Sequence, residues 1–298
     1  MKKKELKKTD ELNIDETLKD AEEINEDFKD VTAKPNSKFI QKMIIIIIFL
    51  AVFIRFYGTS RIVTKEYSII DTNISSGFDG AKIVQISDIH YGTTVNEATL
   101  KKLVTKVNEL KPDIIVFTGD LIDKGINPTD KIKAEISVNL SKLTASIGKY
   151  AIASNEDLEN TDFNALITNS GFTLLDNETK LIYNDDENPI ELVGLSNPNS
   201  DVNLSPNYKI ALIHKPDDAD YILNKNYNII LAGHSHGGII RLPFIGGIIK
   251  IEGAKKYYND SYLLDNTRLY VSSGLGTSNI NFRIFNQPSI NLYRLYKN

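Results

Sequence analysis

The chain has 298 residues, a formal net charge of −4 and no cysteine. This length suits one globular domain with additional segments. The lack of cysteine excludes disulfides and thiolate metal sites, so a bound metal would need His, Asp, Glu or Asn side chains. The mildly acidic balance argues against a nucleic-acid-binding surface, since no Lys and Arg cluster is interleaved with aromatic residues.

The N-terminal segment 1–38 is dominated by Lys, Glu, Asp and Asn, with only isolated apolar residues. Its acidic and basic residues nearly cancel. Such a segment cannot bury enough apolar surface to offset the conformational entropy lost on folding. We therefore predict a disordered charged tail over residues 1–38.

An unbroken apolar run over residues 43–54 follows the tail. Lys42 and Arg55 can extend toward lipid headgroups, so the segment 39–58 reaches the roughly 20 residues needed to cross a bilayer. A cleaved signal peptide would lie nearer the N-terminus and end at small residues, and a buried core helix would carry polar positions. The pattern predicts a transmembrane signal anchor over 39–58, with the lipid bilayer as its partner.

The basic residues around this segment favour one orientation. Four lysines lie between residues 29 and 42, against three basic residues between 55 and 65. Because basic residues are more frequent on the cytoplasmic side, this small excess favours a cytoplasmic N-terminus. We predict a single-pass protein of the cell membrane whose catalytic domain is extracytoplasmic.

A linker and a first strand over 59–80 lead into an α/β domain over 81–298. Helices are predicted at 96–110, 130–143 and 163–168, and strands at 64–74, 82–86, 113–118, 150–153, 190–195, 209–213, 228–231, 268–271 and 290–295. Strands that alternate with helices predict layered sheets covered by helices, with ligands bound near the carboxyl ends of the strands.

Five of these strands end at side chains that can bind a metal. In chain order, the residues that follow them are Asp88 and His90, Asp120, Asn155, His214, and His234 and His236. Each residue taken singly could be a helix cap, a turn former or a half-buried histidine. Taken together they include all four histidines of the chain, and imidazole is the commonest neutral metal ligand near pH 7. The set predicts a metal site.

From about Ala81 to the C-terminus, these motifs resemble the calcineurin-like metallophosphoesterase superfamily. The matching blocks are Asp88-Ile89-His90, Gly119-Asp120-Leu121-Ile122-Asp123, His214 and Gly233-His234-Ser235-His236. Within the superfamily, the segments 237–243 and 271–278 are similar to a membrane-tethered bacterial branch that includes UDP-2,3-diacylglucosamine pyrophosphatase-like phosphoesterases.

The resemblance implies a four-layer α/β/β/α sandwich that holds two divalent metal ions, which could be Mn, Fe, Zn or Co. The implied ligands are Asp88, His90 and His236 for the first metal, Asn155, His214 and His234 for the second, and Asp120 as a bridge. It also implies hydrolysis of phosphodiester or pyrophosphate bonds by a hydroxide that bridges the metals. The implied substrate is a phosphate ester, and one linked to a lipid or the cell envelope is a candidate.

One block departs from the family pattern. Where the family has Gly-Asn-His followed by an acid, this chain has Ser154-Asn155-Glu156-Asp157. Glu156 therefore stands where the family has the histidine expected to protonate the leaving oxygen, and Asp157 is the second candidate catalytic carboxylate. An ordinary Glu has a pKa near 4.3 and is ionised at neutral pH.

Three outcomes of the Glu156 departure remain open. The chain is a slower hydrolase, a hydrolase whose substrate has a leaving group that needs little protonation, or a metal-binding protein without turnover.

Arg241 and Arg283 could each contact a substrate phosphate or form a structural salt bridge.

Overall fold

The structure is a computed structural model that describes residues 37–59, 61–242, 244–278 and 283–298, without the side chains of Ala51 and 54–59. By its internal contacts the chain divides into two compact units, Met1–Ala51 and Val52–Asn298. Of the tail predicted over 1–38, all but the last two residues lie outside the described part, as does Pro243 of the segment 237–243.

The first helix, α1, spans Ser37–Thr59. Its described side chains are all exposed to solvent. Among the residues whose side chains are described, no helix combines the length and the apolar character that crossing a membrane requires. The described residues therefore do not support the transmembrane helix predicted over 39–58.

Two mixed six-stranded sheets form the domain, and a two-stranded hairpin accompanies them. The strands are β1 (Val63–Asp71), β2 (Lys82–Ile86), β3 (Ile114–Phe117), β4 (Gly148–Ala151), β5 (Thr173–Leu174), β6 (Glu178–Ile182), β7 (Ile190–Leu195), β8 (Tyr208–Ile213), β9 (Ile229–Ala232), β10 (Arg241–Leu242), β11 (Gly246–Gly247), β12 (Ser261–Leu264), β13 (Thr267–Val271) and β14 (Ser289–Lys297). The first sheet has the order β1-β14-β2-β3-β4-β5, the second has the order β12-β13-β9-β8-β7-β6, and β10 pairs with β11.

The helices of the domain are α2 (Glu97–Glu109), α3 (Asp130–Leu140), α4 (Asn155–Glu159) and α5 (Phe163–Asn169). Helix α2 begins where the Asn96 side chain accepts a hydrogen bond from the Thr99 N–H at 3.0 Å. Its Leu103 and Val107 are fully buried in a cluster that also contains strand residues of the first sheet. Residues of α3 and α5 belong to the same cluster, so these helices cover one face of that sheet.

Successive side chains of a strand point to opposite faces of its sheet, and those on the inner faces build the core between the two sheets. In β3, Ile115 packs in the cluster under the helices, while Ile114 and Val116 pack between the sheets. Leu212 of β8 and Leu231 of β9 reach the same inter-sheet cluster from the second sheet. Fully burying each such side chain contributes about 1.5–3 kcal/mol before entropy is counted.

The outer face of the second sheet differs from the expected four-layer sandwich. Its buried cluster contains Ala219 and Ile222, which lie in and just after the 3₁₀ helix Pro216–Tyr221. Within the described residues, 3₁₀ turns and loops take the place of the expected outer α-helices. The connection 214–228 from β8 to β9 forms the 3₁₀ helices Pro216–Tyr221 and Leu223–Lys225, and the second of them ends at Asn226, whose φ is +54°.

Candidate metal centre

The candidate site lies where five strands end. Strands β2, β3 and β4 are parallel neighbours in the first sheet, and β8 and β9 are parallel neighbours in the second. The carboxyl ends of parallel strands meet at one edge of a sheet, and the loops that follow these strands carry the candidate ligands.

Asp88, His90 and His236 form a first buried cluster. One possible ligand atom from each lies within 4.8 Å of those from the other two. The His90 and His236 ring centroids are 5.0 Å apart, and His236 Nε2 lies 4.0 Å from Asp88 Oδ1. A carboxylate and two imidazoles make a nitrogen–oxygen donor set that suits a divalent transition metal.

Asp120, His214 and His234 form a second cluster, in which one possible ligand atom from each residue also lies within 4.8 Å of the other two. Asp120 Oδ2 is 3.2 Å from His214 Nε2 and 3.4 Å from His90 Nε2 of the first cluster. The Asp120 carboxylate therefore lies between the two clusters. This is the position from which one carboxylate could contact two cations.

Orphaned polar atoms support a cation at this site. His90 Nε2 and Asp120 Oδ1 are buried and have no hydrogen-bond partner. A buried polar group left unsatisfied costs about 1–3 kcal/mol, and the cost is larger for a charged group. Metal coordination would satisfy both atoms, so the residues present fit a divalent metal.

The protonation of two of the four histidines, His234 and His236, points the same way. Burial and the neighbouring His214 lower the pKa of His234 to about 4, and burial lowers the pKa of His236 well below its usual value. Both rings are therefore neutral at pH 7, which is the form that binds metals.

His214 behaves differently. Burial works against its charge, but the Asp120 carboxylate raises the pKa of His214 to about 10. The His214 ring in turn holds the pKa of Asp120 well below its usual range against the effect of burial. In the metal-free site a proton on the His214 ring therefore pairs with the Asp120 carboxylate. A cation bound by both side chains would replace this proton and release it.

Unusual backbone conformations position the ligands. Asp88, His90, Asp120, His234 and His236 all have a φ between +46° and +64°. Non-glycine residues rarely adopt this left-handed region, and each costs of order 1–3 kcal/mol, so it persists only where surrounding contacts fix it.

Asp88 shows such contacts. Its two carboxylate oxygens accept the backbone N–H of His234 at 2.9 and 3.1 Å, so it joins the two ligand loops. Gly233 allows this approach, because a Cβ there would lie 2.8 Å from Asp88 Oδ2 and would clash with the Ser87 hydroxyl. The glycine of this motif is therefore required by close packing.

Asp123 holds one ligand in place. Its Oδ1 lies 2.9 Å from His90 Nδ1, which leaves His90 Nε2 facing Asp120. A carboxylate that accepts the second ring N–H fixes the tautomer and orientation of a ligating histidine. Asp123 was part of a family block in the sequence, but its spacing alone did not reveal this role.

Replacing Asp123 by Asn should weaken metal binding by about 10–100-fold, because His90 loses an anionic partner that orients it. Competition with a chelating dye measures this change directly. Asp265→Asn is the matched control, since Asp265 is exposed and its substitution removes the same charge. Equal metal affinity in both variants would show that Asp123 does not orient His90.

Asp157 contacts backbone rather than the clusters. Its buried carboxylate accepts the N–H groups of Asp120, Leu121 and Ser154 at 2.8–3.0 Å. It also closes a capping box with Ser154 at the start of α4. Burial, with the nearby Asp120 carboxylate, raises the pKa of Asp157 to about 6. The structure thus ties Asp157 to the loop that carries Asp120.

Glu156 lies at the edge of the site. Its carboxylate forms a third possible ligand group with His90 and Asp123, and its Oε2 is buried without a hydrogen-bond partner. Burial and then Asp120 raise the pKa of Glu156. It also lines a cavity of about 340 Å³ beside the clusters. Asn155, one residue earlier, has an exposed side chain.

The two arginines that the sequence left open are both used structurally. Arg283 is buried and donates hydrogen bonds to the carbonyls of Ser273, Gly274 and Gly276. Arg241 forms a salt bridge with Asp260 at 3.0 Å. The Arg283 hydrogen bonds within the described residues go to backbone carbonyls, a use that neither alternative from the sequence had included.

Comparison with known proteins identifies the family. The family described as calcineurin-like phosphoesterase matches residues 81–238. The chain is 36% identical over 254 residues to uncharacterized metallophosphoesterase YkuE of Bacillus subtilis, covering 81% of this chain and 88% of that protein. It is 31% identical over 264 residues to uncharacterized metallophosphoesterase Cj0846 of Campylobacter jejuni, covering 84% of this chain and 68% of that protein.

A third relative carries an activity in its name. The chain is 25% identical over 285 residues to UDP-2,3-diacylglucosamine pyrophosphatase LpxG of Chlamydia muridarum, covering 72% of this chain and 83% of that protein. The family match covers more than half of the chain, and it includes every strand end that carries a candidate ligand. The chain therefore belongs to the calcineurin-like phosphoesterase family and is a metal-dependent phosphoester hydrolase.

Proposed function

We propose that this protein is a membrane-anchored hydrolase of phosphodiester or pyrophosphate bonds that uses two divalent cations. The observation that carries the proposal is the Asp120 carboxylate, which lies between two clusters of possible ligands. An anionic group in that position reduces the repulsion between two cations held about 3.5–4 Å apart.

In this proposal each cluster holds one cation. Asp88, His90 and His236 would bind the first, His214 and His234 would bind the second with Asn155, and Asp120 would contact both. Bound cations would supply Lewis acidity and a water that is deprotonated near neutral pH. Asn155 is exposed in the structure, so its place in the second ligand set is proposed from the sequence motif alone.

Other residues position the ligands. Asp123 orients His90 through its Nδ1, and Asp157 holds the backbone of Asp120. Both act through a neighbour, so we assign them positioning roles and not contact with substrate. Glu156 is the candidate proton donor at the leaving oxygen, because its carboxylate borders both the clusters and the adjoining cavity.

The pyrophosphatase name of one relative supports a substrate class. A pyrophosphate or an acidic aryl group leaves readily without a proton, which suits a site with Glu156 in place of the family histidine. A phosphate ester linked to a lipid or envelope component fits an enzyme held at a membrane. We therefore propose an amphiphilic pyrophosphate or phosphodiester as the natural substrate.

Turnover of bis(p-nitrophenyl) phosphate by the full-length protein in detergent tests this function. Metal-free protein should be inactive, and two equivalents of Mn²⁺ per chain should restore hydrolysis. The competing function is a metal-binding protein without turnover, which the substitution at Glu156 favours. Binding of two metals with no hydrolysis of this acidic ester would establish that alternative.

Membrane anchoring through residues 39–58 is supported by the apolar run 43–54 and by the exposed apolar side chains of α1. The lysine excess before this run supports an extracytoplasmic catalytic domain. Protease added to intact cells should then remove the domain 81–298 and leave the N-terminal tail protected. Immunoblotting with tags at the two termini reads the result. Loss of the N-terminal tag alone would place the domain in the cytoplasm.

A further inference from the structure

A hairpin with exposed apolar side chains directly follows the loop of His234 and His236. We define the apolar hairpin as residues 239–252, of which all but residue 243 are described. Phe244 is fully exposed and Ile245 is 70% exposed, and the side chains of Ile248 and Ile249 are also exposed. Contiguous exposed apolar side chains mark sites that bind a partner or a membrane.

The apolar hairpin is attached to the metal centre at both ends. Its first residue, Ile239, directly follows Gly238 of the ligand loop, and the Gly238 carbonyl also accepts the Ile249 N–H at 3.3 Å. At its end, His234 Nε2 lies 2.7 Å from the carbonyl oxygen of Glu252. Whatever the hairpin contacts is therefore held next to two candidate ligands.

Phe285 extends the same surface. Arg241 of the hairpin donates its backbone N–H to the Ile284 carbonyl at 2.9 Å, which brings the two segments together. Phe285 is 64% exposed and lines a cavity of about 480 Å³ with Phe244 and Ile245. Three large apolar side chains thus border one opening.

The charges around the hairpin favour an anionic lipid surface as the occupant. Of the four basic residues in the segment 239–258, Arg241 pairs with Asp260 at 3.0 Å and Lys256 with Asp220 at 2.8 Å, so Lys250 and Lys255 supply the charge that faces solvent. Lys250 and Lys255 are exposed, and Lys250 Nζ lies 4.2 Å from the Tyr258 ring. Lysines beside an apolar insertion attract anionic headgroups, and tyrosines are enriched at the membrane interface. A second copy is less suitable, because two such hairpins would bring like charges together.

We propose that the apolar hairpin and Phe285 insert into the surface of an anionic lipid bilayer. The hairpin thereby presents the metal centre to phosphoesters whose apolar part lies in that bilayer. The presentation of phosphoesters to the metal centre rests on the proposed phosphoesterase function. The contact with lipid itself is a separate physical property that needs no turnover.

Tryptophan fluorescence tests the contact, because the chain contains no native tryptophan. Ile245→Trp and Phe285→Trp each place one reporter on the surface, and having two guards against a local folding effect. Ile70→Trp is the matched control, since Ile70 is 65% exposed on β1. Each full-length variant is reconstituted into vesicles of phosphatidylcholine and phosphatidylglycerol, with or without brominated acyl chains.

Brominated lipid should quench the Ile245→Trp and Phe285→Trp reporters about twofold and leave the Ile70→Trp emission unchanged, because only inserted side chains meet the acyl chains. Quenching no greater than that of the control would overturn the proposal. A blue-shifted emission without quenching would overturn it in favour of burial by protein, either a second copy or helix α1. Equal quenching in phosphatidylcholine alone would overturn the role of anionic headgroups. An enzyme without activity would still give an interpretable result here.

Discussion

Replacing Asp120 by Asn is expected to remove at least one of two bound metals and to lower turnover by at least about 100-fold. Asp120 Oδ2 lies 3.2 Å from His214 Nε2 and 3.4 Å from His90 Nε2, so it can serve both clusters. The amide keeps the shape of the side chain but removes the negative charge that offsets two cations. Elemental analysis after dialysis gives the metals per chain, and hydrolysis of bis(p-nitrophenyl) phosphate gives the turnover.

The backbone should tolerate this change. Asp120 has a φ of +62°, a region that Asn also accepts, and its N–H is held by Asp157. Asp265→Asn is the control, because Asp265 also has a positive φ but is exposed in the turn between β12 and β13. If Asp120→Asn kept two metals per chain and full turnover, the dinuclear proposal would be wrong.

The positions of most strands along the chain, and the placement of candidate ligands at their carboxyl ends, could be predicted from the sequence. The strands at 82–86 and 190–195 have the predicted bounds, since short apolar runs between polar segments are a strong local signal. Carboxyl ends of parallel strands share one edge, so Asp88 after β2 and Asp120 after β3 had to lie close together once these strands were placed. His214 follows β8 of the second sheet, so its approach to them depends on how the two sheets pack.

The positioning contacts could not be predicted, because they depend on distances between residues far apart in the chain. Asp157 follows Glu156 and looks like a second catalytic acid, yet its carboxylate binds the backbone of Asp120 and Leu121. Arg283 offers the charge a phosphate site needs, yet it is buried against three backbone carbonyls. In both cases the residue type indicated the chemistry of the side chain, but the sequence did not show which groups that side chain contacts.

The outer layer and the apolar hairpin show a related limit. The residues between β8 and β9 contain enough apolar positions for a helix, but they form 3₁₀ turns around Ala219 and Ile222. Residues 239–252 are apolar enough for a buried strand, yet only short β10 and β11 form and Phe244 stays exposed. Apolar composition predicts burial, and tertiary packing decides whether it occurs.

Glu156 is where the chain departs from its family, and its surroundings allow two opposite behaviours. Burial and Asp120 raise the pKa of Glu156, which would keep a proton available to higher pH. Bound divalent cations would act in the other direction and favour the ionised form, since they are the largest local charges. The buried, unpaired Oε2 fits either a proton donor or a group that faces a cation.

Substrates with different leaving groups should separate these behaviours. If Glu156 is ionised in the metal-loaded enzyme, acidic aryl phosphodiesters should be cleaved well and alkyl esters hardly at all. Glu156→His should then raise the rate on alkyl esters by about 10²–10⁴-fold, the usual contribution of a general acid, and barely change the rate on acidic aryl esters. Glu159→His is the matched control, because Glu159 is an exposed residue of the same helix that lines the same cavity.

If Glu156 instead keeps its proton, the wild type should cleave alkyl esters at low pH and lose that activity as the pH rises through the Glu156 pKa. Glu156→Gln should then be severely impaired on alkyl esters and nearly normal on acidic aryl esters, because the amide cannot give up a proton to the leaving oxygen. Rates of both substrate classes, measured from pH 5 to 9 for the wild type and the three variants, decide between the two behaviours. Equal rates on both classes in the wild type and in Glu156→Gln would show that this position donates no proton.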